Sequence, residues 1–307
     1  MSPHGSAERS ESPAHRPVLL REVLERLSPS PGETHLDATV GLGGHAVEIL
    51  RRLGERGLLV GIDRDAEALE IARARLAAAG HPFILFRGVY SQYPEFLRIA
   101  GLPREEALDG VLFDLGVSAL QLSRPERGFS LLRSGPLDMR MSPGEGAPAR
   151  DFLARAPVEE LERVIREFGE EPQAKRIARA IDRARRERPL ETTEELARIV
   201  ESVVPRRGRR LHPATRTFQG IRIYVNEELE HLRSALRDLD RAVKPGGRVA
   251  VLSYHSLEDR IVKESFRDGV RRGFFRWQRP NPCRASPGEV AANPGSRSAR
   301  LRSVVRV

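Results

Sequence analysis

The chain has 307 residues, a length typical of two domains or of one domain that carries a large insertion. Hydrophobic residues make up 39% and charged residues 31%, which allows a core of ordinary size, and no run of about 18 apolar residues is present to cross a membrane. The single cysteine, Cys283, excludes an internal disulfide and a multi-cysteine zinc site and indicates a reducing, cytoplasmic compartment. The net charge of +9 favours a polyanionic partner. The alternative explanation of this basic character is a GC-rich genome that encodes Arg where other genomes encode Lys.

The amino-terminal part is expected to begin with a disordered tail over residues 1–14. These residues are rich in Ser, Pro, Glu and Arg and lack the apolar stretch of a signal peptide. Ordered sequence is expected from His15, and apolar residues at helical spacing predict a first helix over residues 18–27. A tight glycine turn, Gly41–Gly44, then separates a short strand from a helix over residues 45–53.

Strands and helices alternate as far as Asp114. The strands predicted in this part lie at residues 34–39, 57–62, 83–86 and 111–113. Asp65 is expected to cap the helix after the second strand, and Gly80 to end it. Such alternation predicts a parallel sheet with helices on both faces.

The alternation stops after Asp114 and returns late in the chain. Residues 128–225 are basic and predicted to be helical, with no convincing strand. The later elements are predicted as a helix at 227–243, a Lys-Pro-Gly-Gly turn at 244–247, a strand at 248–253, a helix from Ser256 and a strand at 301–307. The fold predicted is therefore an α/β domain of residues 15–127 and 226–307, interrupted by an all-helical insertion of residues 128–225 that is expected to bind RNA.

Three polar features are expected to meet at the carboxyl edge of this sheet. The turn Gly41–Gly44 allows a ligand to approach the backbone, and the helix behind it favours electronegative groups. Asp63 follows about 20 residues later and would accept both ribose hydroxyls of an adenosine, while Asp114 ends the fourth strand. A structural turn and a solvated helix cap would explain each feature separately. Together they indicate an adenosine-containing cofactor, without deciding between NAD and S-adenosylmethionine.

Longer motifs spread along the chain decide that choice by resemblance. They are residues 15–20, 37–45, 61–65, 114–118, 126–130, 135–141, 175–181, 212–219, 253–260 and 293–294. In sequence and order they resemble the small-subunit (16S) ribosomal RNA cytosine-N4 methyltransferases, a family with the class I methyltransferase fold. The resemblance implies S-adenosylmethionine as cofactor and the exocyclic N4 of a specific cytidine in 16S ribosomal RNA, within the small subunit, as the methyl acceptor.

The resemblance also implies which residues contact the cofactor. They are Gly43, Gly44, His45, Asp63, Tyr90, Asp114 and Gln121. Tyr90 stands where the family commonly has Phe, and either ring is able to stack on adenine. The segment beyond Gly273 is shorter and richer in arginine than the family pattern.

The chemistry of the acceptor indicates the catalytic candidates. The N4 amine of cytosine is a poor nucleophile because its lone pair is delocalised into the ring, and a carboxylate that accepts its N–H would localise that pair. Asp114 is expected in this role, with Tyr254 stacking on the base and His255 accepting the surplus proton. Asp114 as a pure cofactor ligand and His255 as a helix cap are the open alternatives. Cys283 lies in a proline-rich loop and not at a plausible catalytic position, so no thiolate is expected to serve a covalent route, and the histidine spacing predicts no metal.

Arginines are expected to supply the RNA contacts. Arg206, Arg207, Arg209 and Arg210 surround a glycine between two prolines, which predicts a loop that holds phosphates. Arg216 follows in the motif at residues 212–219 and is assigned to the same contact. A solvated surface is the alternative explanation for such a cluster. The predicted partner is 16S ribosomal RNA, with no membrane and no obligate protein partner.

Three other functions fit parts of the pattern. A DNA amino-methyltransferase would share the fold and cofactor, but it usually carries Ser/Asp-Pro-Pro-aromatic where this chain has Asp114-Leu115-Gly116-Val117. An NAD-dependent oxidoreductase would require a nicotinamide site that the sequence does not indicate. A ribosome-assembly factor that only binds RNA would show a degraded cofactor loop, whereas residues 41–45 and Asp63 are intact.

Overall fold

The computed structural model describes residues 16–205 and 212–307 of the chain. The predicted disordered tail, residues 1–14, lies outside the described residues. So does the predicted phosphate-binding cluster of Arg206, Arg207, Arg209 and Arg210.

The described residues contain one mixed sheet. Its strands are β1 (Thr34–Asp37), β2 (Leu58–Asp63), β3 (Phe83–Arg87), β4 (Leu108–Asp114), β5 (Val243–Ser253), β6 (Phe275–Trp277), β7 (Cys283–Arg284) and β8 (Arg300–Arg306). Their order is β3-β2-β1-β4-β5-β8-β6, with β7 paired to β8. The strands from β3 to β5 are parallel to their neighbours, and β8 is antiparallel to β5. Because the strand order reverses between β1 and β4, a crevice opens at their carboxyl ends.

Helices cover both faces of the sheet and form the region between β4 and β5. They are α1 (Leu20–Leu27), α2 (Gly44–Leu53), α3 (Ala66–Ala77), α4 (Tyr93–Ile99), α5 (Ala119–Ser123), α6 (Ala149–Arg155), α7 (Val158–Glu167), α8 (Ala174–Glu187), α9 (Thr193–Val203), α10 (Thr215–Val225), α11 (Glu228–Arg237), α12 (Leu239–Ala242), α13 (Ser256–Arg271) and α14 (Pro287–Ala292). The cap predicted for α3 is confirmed, since the side chain of Asp65 accepts a hydrogen bond from the Glu67 backbone N–H.

The central strands of the sheet are buried on both faces, which explains why β2 and β4 are mostly apolar. In β4, Val111 and Phe113 pack into the core that α11 and α13 cover. Leu112 points to the opposite face, where it packs with residues of α1 and α2. The central strands are thereby fixed, and the polar residues that end them are held at one edge.

The region between β4 and β5 has a hydrophobic core of its own. Leu153, Leu161, Ile177, Leu196 and Phe218, one from each of α6 to α10, are buried together. Residues 128–225 of this region are called the helical insertion below. Over residues 128–205 and 212–225, the described part of the predicted insertion, helices are present without strands, apart from one antiparallel bridge between Pro136 and Thr192.

Two predicted elements differ from the structure. The helix expected over residues 227–243 is divided into α11 and α12, with Asp238 between them. The turn expected at residues 244–247 lies within β5, which already begins at Val243. Gly246, with φ of 81°, allows the chain to bend there, and the pairing of β5 with β4 shifts register between Leu108 and Gly110.

The sequence analysis did not identify α4 or the short elements β6, β7 and α14. Each is a few residues long, and β6 and β7 exist only because β8 supplies a partner strand. Across residues 16–205 and 212–307, none of the helices has the length and apolar character needed to cross a membrane.

Candidate active site

A cavity of about 460 Å³ opens at the carboxyl ends of β1, β2, β4 and β5. Residues from the predicted motifs meet in its wall although they lie far apart in the sequence. Those predicted from the sequence that line it are Gly44, His45, Asp63, Tyr90, Asp114, Gln121, Tyr254 and His255. The convergence expected from the strand order is therefore confirmed.

The glycine turn after β1 forms one wall of the cavity. Gly41 has φ of 52° and lines the cavity directly. A Cβ on Gly44 would lie 2.6 Å from Cγ of Pro17, so any larger residue would displace the segment before α1. Gly43 is not among the lining residues; it has φ of 82°, and a Cβ there would lie 3.3 Å from Cα of Ala72 on α3. Gly43 therefore serves the packing of the turn against α3.

Asp63 ends β2 and faces the turn. Its Oδ2 accepts a hydrogen bond from the backbone N–H of Gly41 at 2.7 Å, and Oδ1 accepts one from Asp65 at 2.9 Å. Burial raises the pKa of Asp63 to about 6, against the effect of these two backbone bonds. The backbone bonds orient the carboxylate, which lines the cavity and is able to accept hydrogen bonds from a ligand there.

A buried ion pair next to Asp63 was not anticipated from the sequence. The Asp65 carboxylate lies 2.8 Å from a guanidinium nitrogen of Arg127, and the two side chains are 1% and 8% exposed. Nε2 of Gln121 donates to the same Oδ2 of Asp65 at 3.1 Å, while Oε1 of Gln121 accepts from the backbone N–H of Ser118. The amide of Gln121, a predicted cofactor contact, is thereby held in one orientation. We call Asp63, Asp65, Gln121 and Arg127 the cofactor corner.

Tyr90 follows β3 in the sequence and lines the cavity. Its hydroxyl donates to the carbonyl oxygen of Glu228 at 3.0 Å, and its ring meets Phe113 edge-on at 5.9 Å between centroids. Burial raises the pKa of the Tyr90 phenol well above its usual range. The ring is thus neutral, fixed at both its hydroxyl and its edge, and part of the cavity wall.

Asp37 ends β1 and is a buried carboxyl group that the sequence analysis did not single out as a site residue. It is 1% exposed, and its Oδ1 accepts from the backbone N–H of Thr39 at 3.1 Å. Burial raises its pKa to about 7, and the negative charges of Asp114 and Asp63 add to the rise. Asp37 is the first residue of the glycine motif at residues 37–45, and this position is the feature of the sequence that could have identified it as a site residue.

Asp114 ends β4 with polar groups on both carboxylate oxygens. The Tyr254 hydroxyl donates to Oδ1 at 2.7 Å, and Nδ1 of His45 lies 3.5 Å from Oδ2. Burial and the negative charge of Asp114 raise the pKa of Tyr254 far above its usual range, so the phenol stays a donor. The predicted proximity of Asp114 and Tyr254 is confirmed, and the contact between them is a hydrogen bond.

His255 has the geometry of a helix cap, which was the alternative to its predicted role as proton acceptor. It precedes α13, and its Nδ1 accepts from the Glu258 backbone N–H at 3.4 Å while Nε2 lies 3.1 Å from Oε1 of Glu258. Burial opposes ionisation of Glu258, but the contacts with His255 outweigh it and lower the pKa of that carboxyl. Nδ1 is therefore used by the cap, whereas Nε2 lies close to the Glu258 carboxylate without the geometry of a hydrogen bond. The role of His255 as proton acceptor stays a prediction.

Two further predictions concern Arg216 and metals. Arg216 is exposed near the start of α10, where its guanidinium donates to the carbonyl oxygen of Glu170 at 3.1 Å. Its predicted contact with RNA is not tested by this arrangement. In the part of the chain that the structure describes, no group of three or more His, Cys, Asp or Glu side chains is placed to hold a metal ion.

The fold and the cavity together define a class of protein. A doubly wound sheet with a glycine turn after β1 and carboxylates after β1, β2 and β4 is the arrangement of a class I methyltransferase, and this chain is an enzyme of that class. The chain belongs to the MraW methylase family, whose model matches residues 12–307. The family resemblance stated from the sequence motifs is therefore confirmed.

Relatives of known name are similar over nearly the whole chain. A protein of Trichlorobacter lovleyi is 46% identical, covering 95% of this chain and 98% of its own length. A protein of Symbiobacterium thermophilum is 45% identical, covering 95% of this chain and 96% of its own length. Both carry the name ribosomal RNA small subunit methyltransferase H.

Proposed function

We propose that this protein transfers a methyl group from S-adenosylmethionine to N4 of a specific cytidine in 16S ribosomal RNA, within the small ribosomal subunit in the cytoplasm. The observation that carries the proposal is the position of Asp114, a carboxylate that faces the same cavity as the glycine turn and Asp63. The names of the relatives, which specify ribosomal RNA of the small subunit, support the nature of the substrate.

The cavity residues fit the cofactor. Asp63 lines the cavity and is oriented by backbone N–H groups of Gly41 and Asp65, and its carboxylate accepts the two ribose hydroxyls in the proposed complex. The open side of Gly41 leaves room for the ligand beside the turn, because a Cβ there would have only Thr39 O nearby, at 3.9 Å. Tyr90 supplies an aromatic ring for the adenine, and Gln121 supplies a fixed amide at the same side.

The residues around Asp114 then prepare the acceptor. S-adenosylmethionine supplies the methyl as an electrophile: the carbon–nitrogen bond forms as the carbon–sulfur bond breaks, and sulfur keeps the electron pair. Asp114 accepts a hydrogen bond from N4–H, which localises the nitrogen lone pair, and it takes the proton that the methylated amine must lose. A protonated exocyclic amine is a strong acid, so a carboxylate is a sufficient base.

Tyr254 and the basic surface complete the proposed site. The hydroxyl bond to Asp114 fixes the Tyr254 ring in the cavity wall, where it is able to cover one face of the target base. Arg216 and the arginines at 206, 207, 209 and 210 are proposed to bind phosphates of the RNA, which positions the substrate without reading its sequence. The helical insertion, residues 128–225, is the proposed RNA-binding domain.

The test is transfer of an isotopically labelled methyl group to purified small subunits that lack this modification. Nucleoside analysis of the recovered 16S RNA should place the label on N4-methylcytidine. Free 16S RNA, large subunits and duplex DNA serve as parallel substrates. Label in 5-methylcytidine or in a DNA base would overturn the proposal.

A further inference from the structure

One leucine side chain projects into solvent from the loop that follows α5. Leu132 is 94% exposed, the highest value among the exposed large hydrophobic residues in the described part of the chain. Single exposed leucines are common on protein surfaces, so the meaning of this one depends on how it is held and on what lies beside it. The reaction as described above gives Leu132 no role.

The loop that carries Leu132 is fixed in place. Oγ of Ser130 accepts hydrogen bonds from the backbone N–H groups of Leu132 and Arg133, at 3.1 and 3.2 Å. A Cβ on Gly135 would lie 1.7 Å from the carbonyl oxygen of Pro125, so the end of the loop is packed closely against the segment after α5. Leu132 therefore stands on a backbone of defined direction, and its exposure is a property of the folded loop.

The position of the loop brings Leu132 to the rim of the active-site cavity. The guanidinium of Arg133 donates to the carbonyl oxygen of Ser123, the last residue of α5, at 3.1 Å. Leu122, the residue before it, lines the cavity and is also exposed. On the other side, Leu131 packs against the core of the helical insertion. The tip of the loop thus lies between the insertion and a helix of the cavity wall.

The same rim is basic. Arg133 and Arg75 are exposed, and each donates to a backbone carbonyl oxygen of a segment that lines or adjoins the cavity. For Arg75 this is Leu42, at 2.9 Å. Among the described residues, no acidic side chain forms an ion pair with either arginine, and a carbonyl oxygen does not cancel the charge. The rim therefore combines an apolar tip with two cations that are able to bind phosphates.

The cavity explains why RNA would require such a tip. The carboxylates of Asp63 and Asp114 line a cavity at the ends of the strands, and a stacked base cannot bring its amine to them. The cytidine must first be turned out of its stack, which costs free energy. Proteins that open a nucleic acid in this way insert apolar side chains such as Leu between neighbouring bases, which covers the exposed base faces.

We propose that Leu132 is a wedge, an apolar side chain that enters the base stack of 16S ribosomal RNA next to the target cytidine and keeps this cytidine turned out into the cavity. Arg75 and Arg133 bind phosphates of the flanking nucleotides. The inference rests on the proposed function, because it names the residue that opens the substrate for methyl transfer.

Kinetics of substitutions at Leu132 test the wedge. In single-turnover reactions with saturating small subunits that lack the modification, Leu132→Ala should slow methyl transfer by about 10- to 100-fold, because burial of the leucine between bases is lost. Leu132→Met keeps an apolar side chain of similar length and should stay close to the natural rate. Leu132→Asn keeps the size but is polar, and should be as slow as Leu132→Ala.

The matched control is Ile99→Ala, which removes another exposed apolar side chain. Ile99 is 56% exposed at the end of α4, where the chain returns to the amino edge of the sheet, and its loss should leave the rate unchanged. Urea unfolding and calorimetry with S-adenosylmethionine should give the same results for all variants as for the natural protein. An unchanged rate in Leu132→Ala, or a change confined to KM, would overturn the proposal.

Photochemical crosslinking keeps the test independent of the rate. A benzoylphenylalanine introduced by Leu132→benzoylphenylalanine should crosslink to a nucleotide adjacent to the methylated cytidine, as located by primer extension on the 16S RNA. A crosslink only to a ribosomal protein, or only to a distant part of the RNA, would show that Leu132 serves another contact and that the proposal is wrong. If the natural protein forms no N4-methylcytidine, the proposed function itself is refuted. N4-methylcytidine formed at the natural rate by Leu132→Ala overturns the wedge alone.

Discussion

The cofactor corner and the helical insertion use charge in opposite ways. At the corner, the Asp65 and Arg127 side chains are almost completely buried, 2.8 Å apart, and share their hydrogen bonds with Gln121 and the backbone. In the insertion, charged pairs such as Arg166 with Glu162 lie one helical turn apart on the surface of α7 and are 51% and 27% exposed. The core beneath them is apolar.

The difference shows where the molecule depends on individual polar groups. A buried ion pair that loses one partner leaves a charge without solvent, which costs several kcal/mol. An exposed pair on a helix contributes only a few tenths of a kcal/mol, because water replaces either partner. Substitutions at the corner should therefore change binding, turnover or folding strongly, and substitutions on the surface of the insertion should change mainly its electrostatic field.

The largest effect is expected at Asp63. Asp63→Ala should remove two charge-assisted hydrogen bonds to the ribose, about 1.5–3 kcal/mol for each, and weaken the binding of S-adenosylmethionine accordingly. Isothermal titration calorimetry measures this loss. Asp63→Asn keeps the shape of the side chain and should retain part of the affinity. Unchanged affinity in both variants would contradict the assignment of the cofactor site.

At Asp114 the effect should fall on the chemical step. Asp114→Asn keeps the size of the side chain but removes the charge that polarises N4, and kcat should fall on the order of 10²–10⁴-fold. Single-turnover kinetics at saturating cofactor separate this from binding, which calorimetry measures in parallel. A fall that weaker cofactor binding explains completely would reduce Asp114 to a binding residue.

The two regions should differ most clearly in how much a substitution lowers the free energy of unfolding. Arg127→Met should lower the free energy of unfolding by about 3–5 kcal/mol, because it leaves Asp65 buried without its cation. Arg166→Met on α7 should change it by about 0.5 kcal/mol or less. Urea unfolding of both variants measures the contrast, and equal effects would show that the corner is more hydrated than its burial indicates.

The pH dependence of folding stability should reveal the raised pKa of the Asp37 carboxyl group. A carboxyl whose pKa is raised from 3.8 to about 7 on folding contributes stability while it is protonated, and this contribution is lost as pH rises from about 4 through 7. Asp37→Asn should remove that loss and make the protein more stable at pH 8 by at most about 4 kcal/mol, from 1.36 kcal/mol per pKa unit. Urea unfolding at pH 5 and pH 8 tests it. The same difference in stability between Asp37→Asn and the natural protein at pH 5 and at pH 8 would show that the carboxyl is already ionised in the folded protein at pH 5.

The smallest effect on binding of the cofactor is expected when the arginines of the insertion are replaced. Replacing Arg206, Arg207, Arg209 and Arg210 by Gln should weaken RNA binding and leave S-adenosylmethionine binding unchanged. Each lost phosphate contact should reduce the slope of log K against log salt by about 0.7–0.9. The same replacement of four exposed arginines elsewhere, Arg51, Arg52, Arg98 and Arg271, is the charge-matched control. Equal salt slopes for the two quadruple variants would make the cluster an ordinary solvated surface.

The sequence determined the order of strands and helices and the residues that end the strands. The alternation of short strands with helices predicted β1 to β4, and in β2, β3 and β4 most residues are apolar. The glycine turn, Asp63 and Asp114 were predicted to lie together because each stands at the carboxyl end of a parallel strand, and these ends meet at one edge of the sheet. The long motifs identified the family, which local patterns did not.

Only the tertiary structure decided the contacts between distant segments. Asp65 and Arg127, Asp114 and Tyr254, and His45 and Val18 are separated by 27 to 140 positions, and no local pattern relates them. Their pairing depends on how α5, β5 and the segment before α1 pack around the crevice. Burial then sets the charge state of Asp37, because a carboxyl at the end of a strand ionises normally in water and poorly when neighbouring acidic groups and the protein interior surround it.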